Sequence, residues 1–296
     1  MTDEESYYFD LRGILVVRGV LTPDQIASGI NTIDHFEEQI STRSVDEGGL
    51  ARGSAALSGA RGRRELGCML VWPAPHRQPF RELLVHPIVV SRLNEMCGRG
   101  FRLDHGPHYV GGVRGTAGLT MHGAREPHRG YVAYHHQNGN SYCAGVTVSS
   151  SLSDAGPGDH GFGGFACVVG SHKSKFTMPS DVCTVNDDNG CRRAAGGAGG
   201  RCAVLRGWRS DPRHLAVERR SRPLLRALQI RWPHHDQKWQ VCAPGPSRDL
   251  LGGGAGRRHV PQERAVMYGP ASAPGTRDVN LIVDDSGHVT VGEKNA

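Results

Sequence analysis

Side chains that could bind a metal or carry out catalysis are concentrated between residues 120 and 173 of this 296-residue chain. The stretch "GLTMHGAREPH" places His122 after a short apolar run and before a glycine, and Glu126 follows four positions later. Imidazole and carboxylate groups are ligands of first-row transition metals. One interpretation is that His122 is a metal ligand. The other is that it is a turn histidine without a metal role, because one histidine among sixteen does not define a site.

The N-terminal part of the chain has the pattern of a strand followed by amphipathic helices. "FDLRGILVVRGVLTPDQI" predicts a strand over 14–17 and a helix that begins at Thr22 and Pro23, since threonine is a favoured cap and proline a favoured first residue. One face of this helix carries Ile26, Ile30 and Ile33. "FRELLVHPIVVSRLNEMCG" predicts a second helical stretch.

Short strands are predicted further along. Val146 and Val148 alternate with polar residues, a turn rich in Gly, Pro and Asp follows, and "FACVVGSH" comes after it. Helices followed by short strands indicate an α+β fold, with the strands arranged as a barrel or jelly roll.

Composition narrows the class of protein. There is no run of eighteen apolar residues and hence no predicted membrane span. The start, "MTDEESYYFD", is acidic and polar, unlike a signal peptide. The eight cysteines include no CxxC pair, which favours reduced thiols in a cytoplasmic protein over a disulfide framework or a zinc site.

Several segments resemble the phytanoyl-CoA dioxygenase family. They are "YYFDLRGILVVRGVLTPDQI", "HPIVVSRLNEMCGRGFRLDHGP", "GLTMHG", "YHHQNGNSYCAGVTVS" and above all "LSDAGPGDHGFGGFACVVGSHKSKF". The resemblance covers roughly residues 7–188 and the tail from about 260. It implies one oxygenase domain over 1–296, built as a cupin-like double-stranded β-helix (jelly roll) with N-terminal helices. It also implies a dioxygenase that uses Fe(II), 2-oxoglutarate and O₂ to hydroxylate a small or lipid-like molecule.

The resemblance also assigns roles to residues. His122 corresponds to the first iron ligand of the family's His-x-Asp motif, but position 124 is Ala124. Either Glu126 supplies the carboxylate from an unusual spacing, or the carboxylate position is vacant, as it is in iron-dependent halogenases. His172 corresponds to a loop histidine after a strand, and we interpret it as structural; His128, His135 and His136 are weaker candidates as ligands.

Three further polar residues, Tyr134, Gln137 and Asn138, are candidates to line the pocket near 2-oxoglutarate. The other interpretation of "QNGN" is a solvated hairpin turn. Both interpretations remain open from the sequence.

The segment 190–258 differs from the rest of the chain. It contains 15 of the 35 Lys and Arg residues but only 4 of the 29 Asp and Glu residues, which leaves 20 basic and 25 acidic residues elsewhere. It is rich in glycine, has no strand or helix periodicity and contains three of the four tryptophans. We expect it to have little regular structure, which would leave the barrel incomplete.

A shift of the reading frame accounts for this composition. Shifted by one base, the codons of 199–206 permit Ala-Gly-Asp-Val-Leu-Phe-Phe, a turn and a buried strand. Those of 211–218 permit Thr-His-Gly-Thr-Leu-Pro-Trp, in which the codon of the second iron-binding histidine would span Pro212 and Arg213. Those of 228–244 permit Tyr-Lys-Tyr-x-Gly-Pro-Ile-Met-Thr-Lys-Ser-Gly-Lys-Tyr-Ala-Pro. The three sequences obtained with the same one-base shift each resemble the family's sequence at the corresponding place. We therefore interpret about 190–258 as an out-of-frame translation that impairs the enzyme.

The alternative to an oxygenase is a non-enzymatic function. In this case the chain is a basic protein whose segment 190–258 binds nucleic acid or another polyanion. Because the positive charge is confined to that segment, we expect no nucleic-acid partner. The sequence does not indicate the substrate or the oligomeric state.

Overall fold

A computed structural model gives the fold of the protein. It describes residues 1–45, 54, 57–98, 101–113, 115–121, 134–143, 145–152, 165–174, 176–186, 192–195, 203–207, 224–231, 260–267 and 279–293. The α-helices are α1 (Asp3–Arg12), α2 (Pro23–His35), α3 (Gln78–Leu84), α4 (Pro87–Met96), α5 (Ser180–Cys183) and α6 (Pro261–Met267). The strands are β1 (Ile14–Val17), β2 (Ser41–Arg43), β3 (Arg63–Leu66), β4 (Arg102–His105), β5 (His108–Gly111), β6 (Tyr134–Gln137), β7 (Asn140–Cys143), β8 (Gly145–Ser151), β9 (Phe165–Val168), β10 (Arg192–Ala195), β11 (Ala203–Gly207), β12 (Leu224–Arg231), β13 (Val279–Val283) and β14 (Val289–Glu293).

The start of helix α2 confirms the sequence prediction. The Thr22 side chain accepts a hydrogen bond from the main-chain N–H of Gln25 at 3.2 Å, and the Gln25 side chain accepts one from the main-chain N–H of Thr22 at 2.9 Å. This reciprocal pair satisfies two N–H groups that a helix start otherwise leaves unpaired. Ile33 on the predicted apolar face is buried in the core.

The second helical stretch is two helices, not one. Helix α3 ends at Leu84 and helix α4 begins at Pro87. His86 has an extended backbone (φ −63°, ψ 122°), as expected for a residue whose helical conformation is blocked by the following proline ring. The apolar pattern continues across this break, which is why periodicity alone predicted a single stretch.

Eight of the described strands form one antiparallel sheet, which we call the main sheet. Its order is β1-β11-β8-β12-β5-β3-β2, and β4 pairs with β12 beside β5. Among the described residues, smaller antiparallel pairs join β6 to β7, β9 to β10 and β13 to β14. The α+β class with antiparallel strands is therefore confirmed, and the predicted strands at 14–17 and around Val146 are present.

The helices pack on one face of the main sheet and form the hydrophobic core there. Leu15 on β1, Leu66 on β3, Tyr109 on β5 and Val148 on β8 are buried in one cluster. The helical residues of the same cluster include Phe9, Ile33, Phe80, Leu84, Val90 and Leu93. Because side chains alternate across a strand, the neighbouring residues of β3, β5 and β8 lie on the opposite face of the sheet.

The expectation of little regular structure in 190–258 is wrong for three segments. Strand β10 pairs with β9, β11 pairs with both β1 and β8, and β12 pairs with β8, β5 and β4. Backbone hydrogen bonds complete a sheet without an alternating side-chain pattern, and pattern was the basis of the expectation. The other residues of the segment lie outside the described residues.

Cys97, Cys143, Cys167 and Cys183 are not in disulfides, as expected, but Cys68 is disulfide-bonded. The expectation of reduced thiols is therefore wrong at Cys68, since a disulfide joins cysteines that are close in space, which their spacing in the sequence does not reveal. Within the described residues, every helix is too short or too polar to cross a membrane.

Candidate functional site

The two residues predicted as metal ligands, His122 and Glu126, lie outside the described residues. Met121, the residue immediately before His122, is held in place by two hydrogen bonds. The main-chain N–H of Met121 donates to the carbonyl oxygen of Cys183 at 2.7 Å, and the Cys183 thiol donates to the carbonyl oxygen of Met121 at 2.6 Å. The Met121 side chain is buried against Leu57.

Tyr134, a predicted pocket residue, connects strand β6 to helix α1. Its hydroxyl donates a hydrogen bond to the Asp10 carboxylate and lies 3.0 Å from Ser141 Oγ. Its ring meets the His172 ring edge-on, with the ring centres 4.9 Å apart. Burial and the Asp10 carboxylate raise the pKa of Tyr134 to about 12, so the phenol stays protonated and can donate. Its role beside 2-oxoglutarate stays a prediction.

Gln137 and Asn138 lie at the tip of the hairpin formed by β6 and β7, and both side chains are exposed. Asn138 has a φ of 53° and Gly139 a φ of 78°. Two successive residues with positive φ are typical of the tight turns that join hairpin strands. This conformation agrees with the hairpin interpretation of "QNGN", and a contact of either side chain with a co-substrate stays a prediction.

His172 has the structural role that we expected. It is completely buried in the short 3₁₀ helix Ser171–Lys173, and its Nε2 lies 3.0 Å from the main-chain carbonyl oxygen of Asp10. Burial lowers the pKa of His172 to about 4, so the ring is neutral at physiological pH. His136, a weaker candidate, is exposed and lies 2.8 Å from Ser141 Oγ.

The face of the main sheet opposite the helices carries buried polar side chains, and we call it the polar face. Ser151 and Glu65 lie on the same face, because Ser151 pairs with Leu224, Leu224 with Val110, and Val110 with Glu65. The buried polar residues of this face in β3 and β8 are Arg63, Glu65, Thr147, Ser149 and Ser151. A sheet face buried with so many polar groups is unusual for a hydrophobic core.

An ion-pair cluster on the polar face centres on Glu65. Arg63 Nε donates to Glu65 Oε1 at 2.7 Å and a second guanidinium nitrogen donates to the same oxygen. Arg43 Nε lies 3.2 Å from Oε1, and His108 Nε2 lies 3.6 Å from Oε2. Burial opposes ionisation of Glu65, but His108 and Arg63 outweigh it and lower the pKa of Glu65 to about 2. The carboxylate is therefore ionised in the folded protein.

Within the described residues, no three His, Cys, Asp or Glu side chains lie close enough to hold a metal ion. The Glu65 cluster does not fit a metal, because its carboxylate is already surrounded by cationic groups. An iron site with three protein ligands therefore needs at least one ligand from outside the described ranges, where His122 and Glu126 lie.

Comparison with known proteins relates the fold to one class of enzyme. No protein-family model matches the sequence, and no curated protein matches it. Among solved structures, HygX from Streptomyces hygroscopicus with nickel and 2-oxoglutarate bound has a TM-score of 0.61 at 19% identity, and the match covers 81% of this chain and 90% of HygX. AviO1 from Streptomyces viridochromogenes has a TM-score of 0.54 at 18% identity, covering 80% of this chain and 97% of AviO1.

A third neighbour is SnoK, a non-haem α-ketoglutarate-dependent carbocyclase from nogalamycin biosynthesis, with a TM-score of 0.51 at 13% identity; the match covers 78% of this chain and 84% of SnoK. HygX has also been solved with iron bound. The chain therefore shares the fold of non-haem iron and 2-oxoglutarate-dependent enzymes. The expected cofactors, iron and 2-oxoglutarate, are those that the neighbouring structures contain.

Sequence reasoning missed the Glu65 cluster. One signal was present: Arg63 and Glu65 are two positions apart in a short strand, so they share a face and can form an ion pair. His108 lies more than forty residues further along the chain, and only the pairing of β3 with β5 brings it near Glu65.

Proposed function

We propose that the protein is a non-haem Fe(II)/2-oxoglutarate-dependent dioxygenase that hydroxylates a small molecule. The observation that carries this proposal is the fold shared with HygX, AviO1 and SnoK, together with the metal and 2-oxoglutarate in the HygX structure. The buried polar face supports it, since its polar groups are of the kind that orient a ligand.

His122 is the first iron ligand in this proposal. The support from the structure is indirect: the two hydrogen bonds between Met121 and Cys183 fix the chain one residue before it, and a ligand needs a rigid support. Glu126 supplies the carboxylate, or the position is vacant because residue 124 is alanine. In the second case the site would accept a halide and the protein would be a halogenase.

We propose that the side chains of Tyr134, Gln137 and Asn138 line the pocket near 2-oxoglutarate. The support for Tyr134 is its neutral, half-buried hydroxyl, which could donate to a carboxylate if it left Asp10. For Gln137 and Asn138 the support is limited to their exposed amides at the tip of the hairpin. The 2-oxoglutarate, when bound to the iron, would supply the two-electron reduction that activates O₂.

The proposal includes an out-of-frame segment at about 190–258. The shifted codons permit Val-Leu-Phe-Phe over 202–206, and strand β11 occupies Ala203–Gly207 between β1 and β8. The apolar run of the shifted frame coincides in position with a strand, which supports the proposal, whereas three paired strands in the segment as written count against it. The codon of the second iron-binding histidine, spanning Pro212 and Arg213, lies outside the described residues.

Resequencing the gene across codons 185–262 tests the frame, and an activity comparison tests the function. The frame-restored chain should convert 2-oxoglutarate to succinate in an Fe(II)-dependent way, at least as slow uncoupled turnover, and the chain as written should not. Faster turnover with added chloride would favour the halogenase. If the restored chain consumes no 2-oxoglutarate with a broad panel of substrates, the proposed function is wrong.

A further inference from the structure

We propose that Asn138 is a site of spontaneous deamidation in the folded protein. Asn138 lies at the tip of the hairpin formed by β6 and β7, and a reaction that needs only water would convert its side-chain amide to a carboxylate. The inference does not rest on the proposed function, because the reaction involves neither a metal nor 2-oxoglutarate.

The reaction begins at the main-chain nitrogen of Gly139, which attacks Cγ of Asn138. A bond forms between these two atoms, and the bond from Cγ to the side-chain nitrogen breaks. That nitrogen leaves as ammonia and takes the proton from the Gly139 nitrogen, which leaves a cyclic succinimide. Water then opens the ring at Cγ to give aspartate, or at the main-chain carbonyl carbon to give isoaspartate. No atom is oxidised or reduced, so no further reactant is needed.

The surroundings of Gly139 favour the attack. Asn138 and Gly139 are both exposed, and a Cβ built on Gly139 would meet no atom of the described residues within 4 Å. Glycine has no side chain that would crowd the approach of its nitrogen to the preceding Cγ. The reacting groups are therefore open to water and free of steric hindrance from the attacking residue.

The tip reaches the geometry of ring closure by a local opening. The attack requires rotation of the main chain at Asn138, so the tight turn, with a φ of 53° at Asn138 and 78° at Gly139, has to open. Residues 135–140 are all exposed, and the side-chain nitrogen of Asn140 donates to the carbonyl oxygen of Asn138 at 3.2 Å. Exposed loops with few buried contacts open at low free energy while the rest of the chain stays folded.

The other asparagines of the described residues are poorer sites. Among them, Asn138 alone precedes a glycine. The side-chain oxygens of Asn94 and Asn280 are buried, which keeps water away from these amides. Asn140 is exposed on the same hairpin but precedes Ser141, so it serves as the matched control. Asn189, which also precedes a glycine, lies outside the described residues.

Deamidation would change both the charge and the backbone of the hairpin. Residues 134–143 include no Asp, Glu, Lys or Arg, so the product carries the first carboxylate of the hairpin. Isoaspartate also lengthens the main chain by one carbon between Asn138 and Gly139, which disturbs the pairing of Gln137 with Asn140.

The test is peptide mass mapping of the full chain after prolonged incubation in mildly alkaline buffer, which promotes loss of the proton from the attacking nitrogen. We compare the unaltered chain with Asn138→Gln and with Gly139→Ala, and circular dichroism checks that each is folded. A synthetic peptide of residues 134–143, treated in the same way, shows that the buffer supports the reaction. Methylation by a protein isoaspartyl methyltransferase detects isoaspartate.

The peptide that contains Asn138 should show the mass shift of an amide NH₂ replaced by OH, located at Asn138 by fragmentation, and it should accept methyl groups. Asn140 should stay unchanged, Asn138→Gln should show no shift, and Gly139→Ala should convert more slowly. The inference would be overturned if the synthetic peptide converts and the folded chain does not, if Asn140 converts as fast as Asn138, or if Gly139→Ala converts as fast as the unaltered chain.

Discussion

The imidazole of His172 is held against helix α1 by the main-chain carbonyl oxygen of Asp10, 3.0 Å from Nε2. Gly13, which ends α1 with a φ of 71°, makes this approach possible, because a Cβ there would lie 2.2 Å from His172 Nδ1. Lys173, the next residue, pairs with the Asp10 carboxylate at 3.0 Å. The turn that follows β9 is thereby fixed to the N-terminal helix, more than 150 residues earlier in the chain.

Removal of the buried imidazole should destabilise the fold. His172→Ala leaves a cavity beside Phe9 and an unpaired carbonyl at Asp10, for which we expect a loss of about 3 kcal/mol in the free energy of unfolding. Urea unfolding followed by circular dichroism measures it. The control is His288→Ala, an exposed histidine whose loss should cost less than about 0.5 kcal/mol. Equal stability of the two variants would contradict the structural role of His172.

The same histidine should make stability depend on pH. Its folded pKa of about 4 lies below the unfolded value of 6.5, so the unfolded chain takes up the proton first as the pH falls. The stabilisation is therefore complete above pH 6.5 and is lost between pH 6.5 and 4, by about 3 kcal/mol in total. The variant His172→Asn should lack this loss. If unfolding free energies of the two proteins fall in parallel over that range, the ring is not held neutral by burial.

The Arg63–Glu65 pair should show strong coupling in a double-mutant cycle. Glu65→Met leaves the buried Arg63 charge without its carboxylate and should cost about 3 kcal/mol, whereas Arg63→Met should cost less, about 2 kcal/mol, because Glu65 keeps Arg43 and His108. The double variant should cost clearly less than the sum of the two, because neither charge remains. Additive losses, measured by urea unfolding, would mean that the two side chains do not interact in solution.

The C-terminal helix α6 should contribute to stability through a second buried pair. Arg81 Nη1 on α3 lies 3.8 Å from Glu263 Oε2 on α6, and both side chains are almost fully buried. Glu263→Ala should destabilise the chain by about 2 kcal/mol, since it removes the nearby carboxylate from the buried Arg81 guanidinium, which keeps its hydrogen bonds to the carbonyl oxygen of Leu70. Glu38→Ala, which alters an exposed carboxylate, should have little effect. A neutral Glu263→Ala would show that α6 does not dock on α3.

Local features of the fold could be predicted from the sequence where a few neighbouring residues determine the structure. Thr22 and Pro23 specify the start of α2, and the alternation around Val146 and Val148 specifies β8. The structural role of His172 followed from the family resemblance. These predictions need only neighbouring residues or a recognised motif.

Features that depend on distant pairing did not follow from the sequence. The Glu65 cluster requires β2, β3 and β5 to be neighbours, and no local pattern indicates their order. Strands β11 and β12 have no apolar alternation, yet they occupy the middle of the main sheet because β1, β8 and β5 offer backbone hydrogen bonds on both sides. The metal ligands depend on the resemblance alone, since His122 lies outside the described residues.

Fe(II)-dependent formation of succinate from 2-oxoglutarate tests the oxygenase function and its first iron ligand together, in the frame-restored chain and its His122→Ala and His128→Ala variants. We expect succinate from the restored chain and from His128→Ala, none from His122→Ala, and weak iron retention by the chain as written, which lacks the second histidine. Unchanged turnover in His122→Ala, or tight stoichiometric iron in the chain as written, would contradict these expectations.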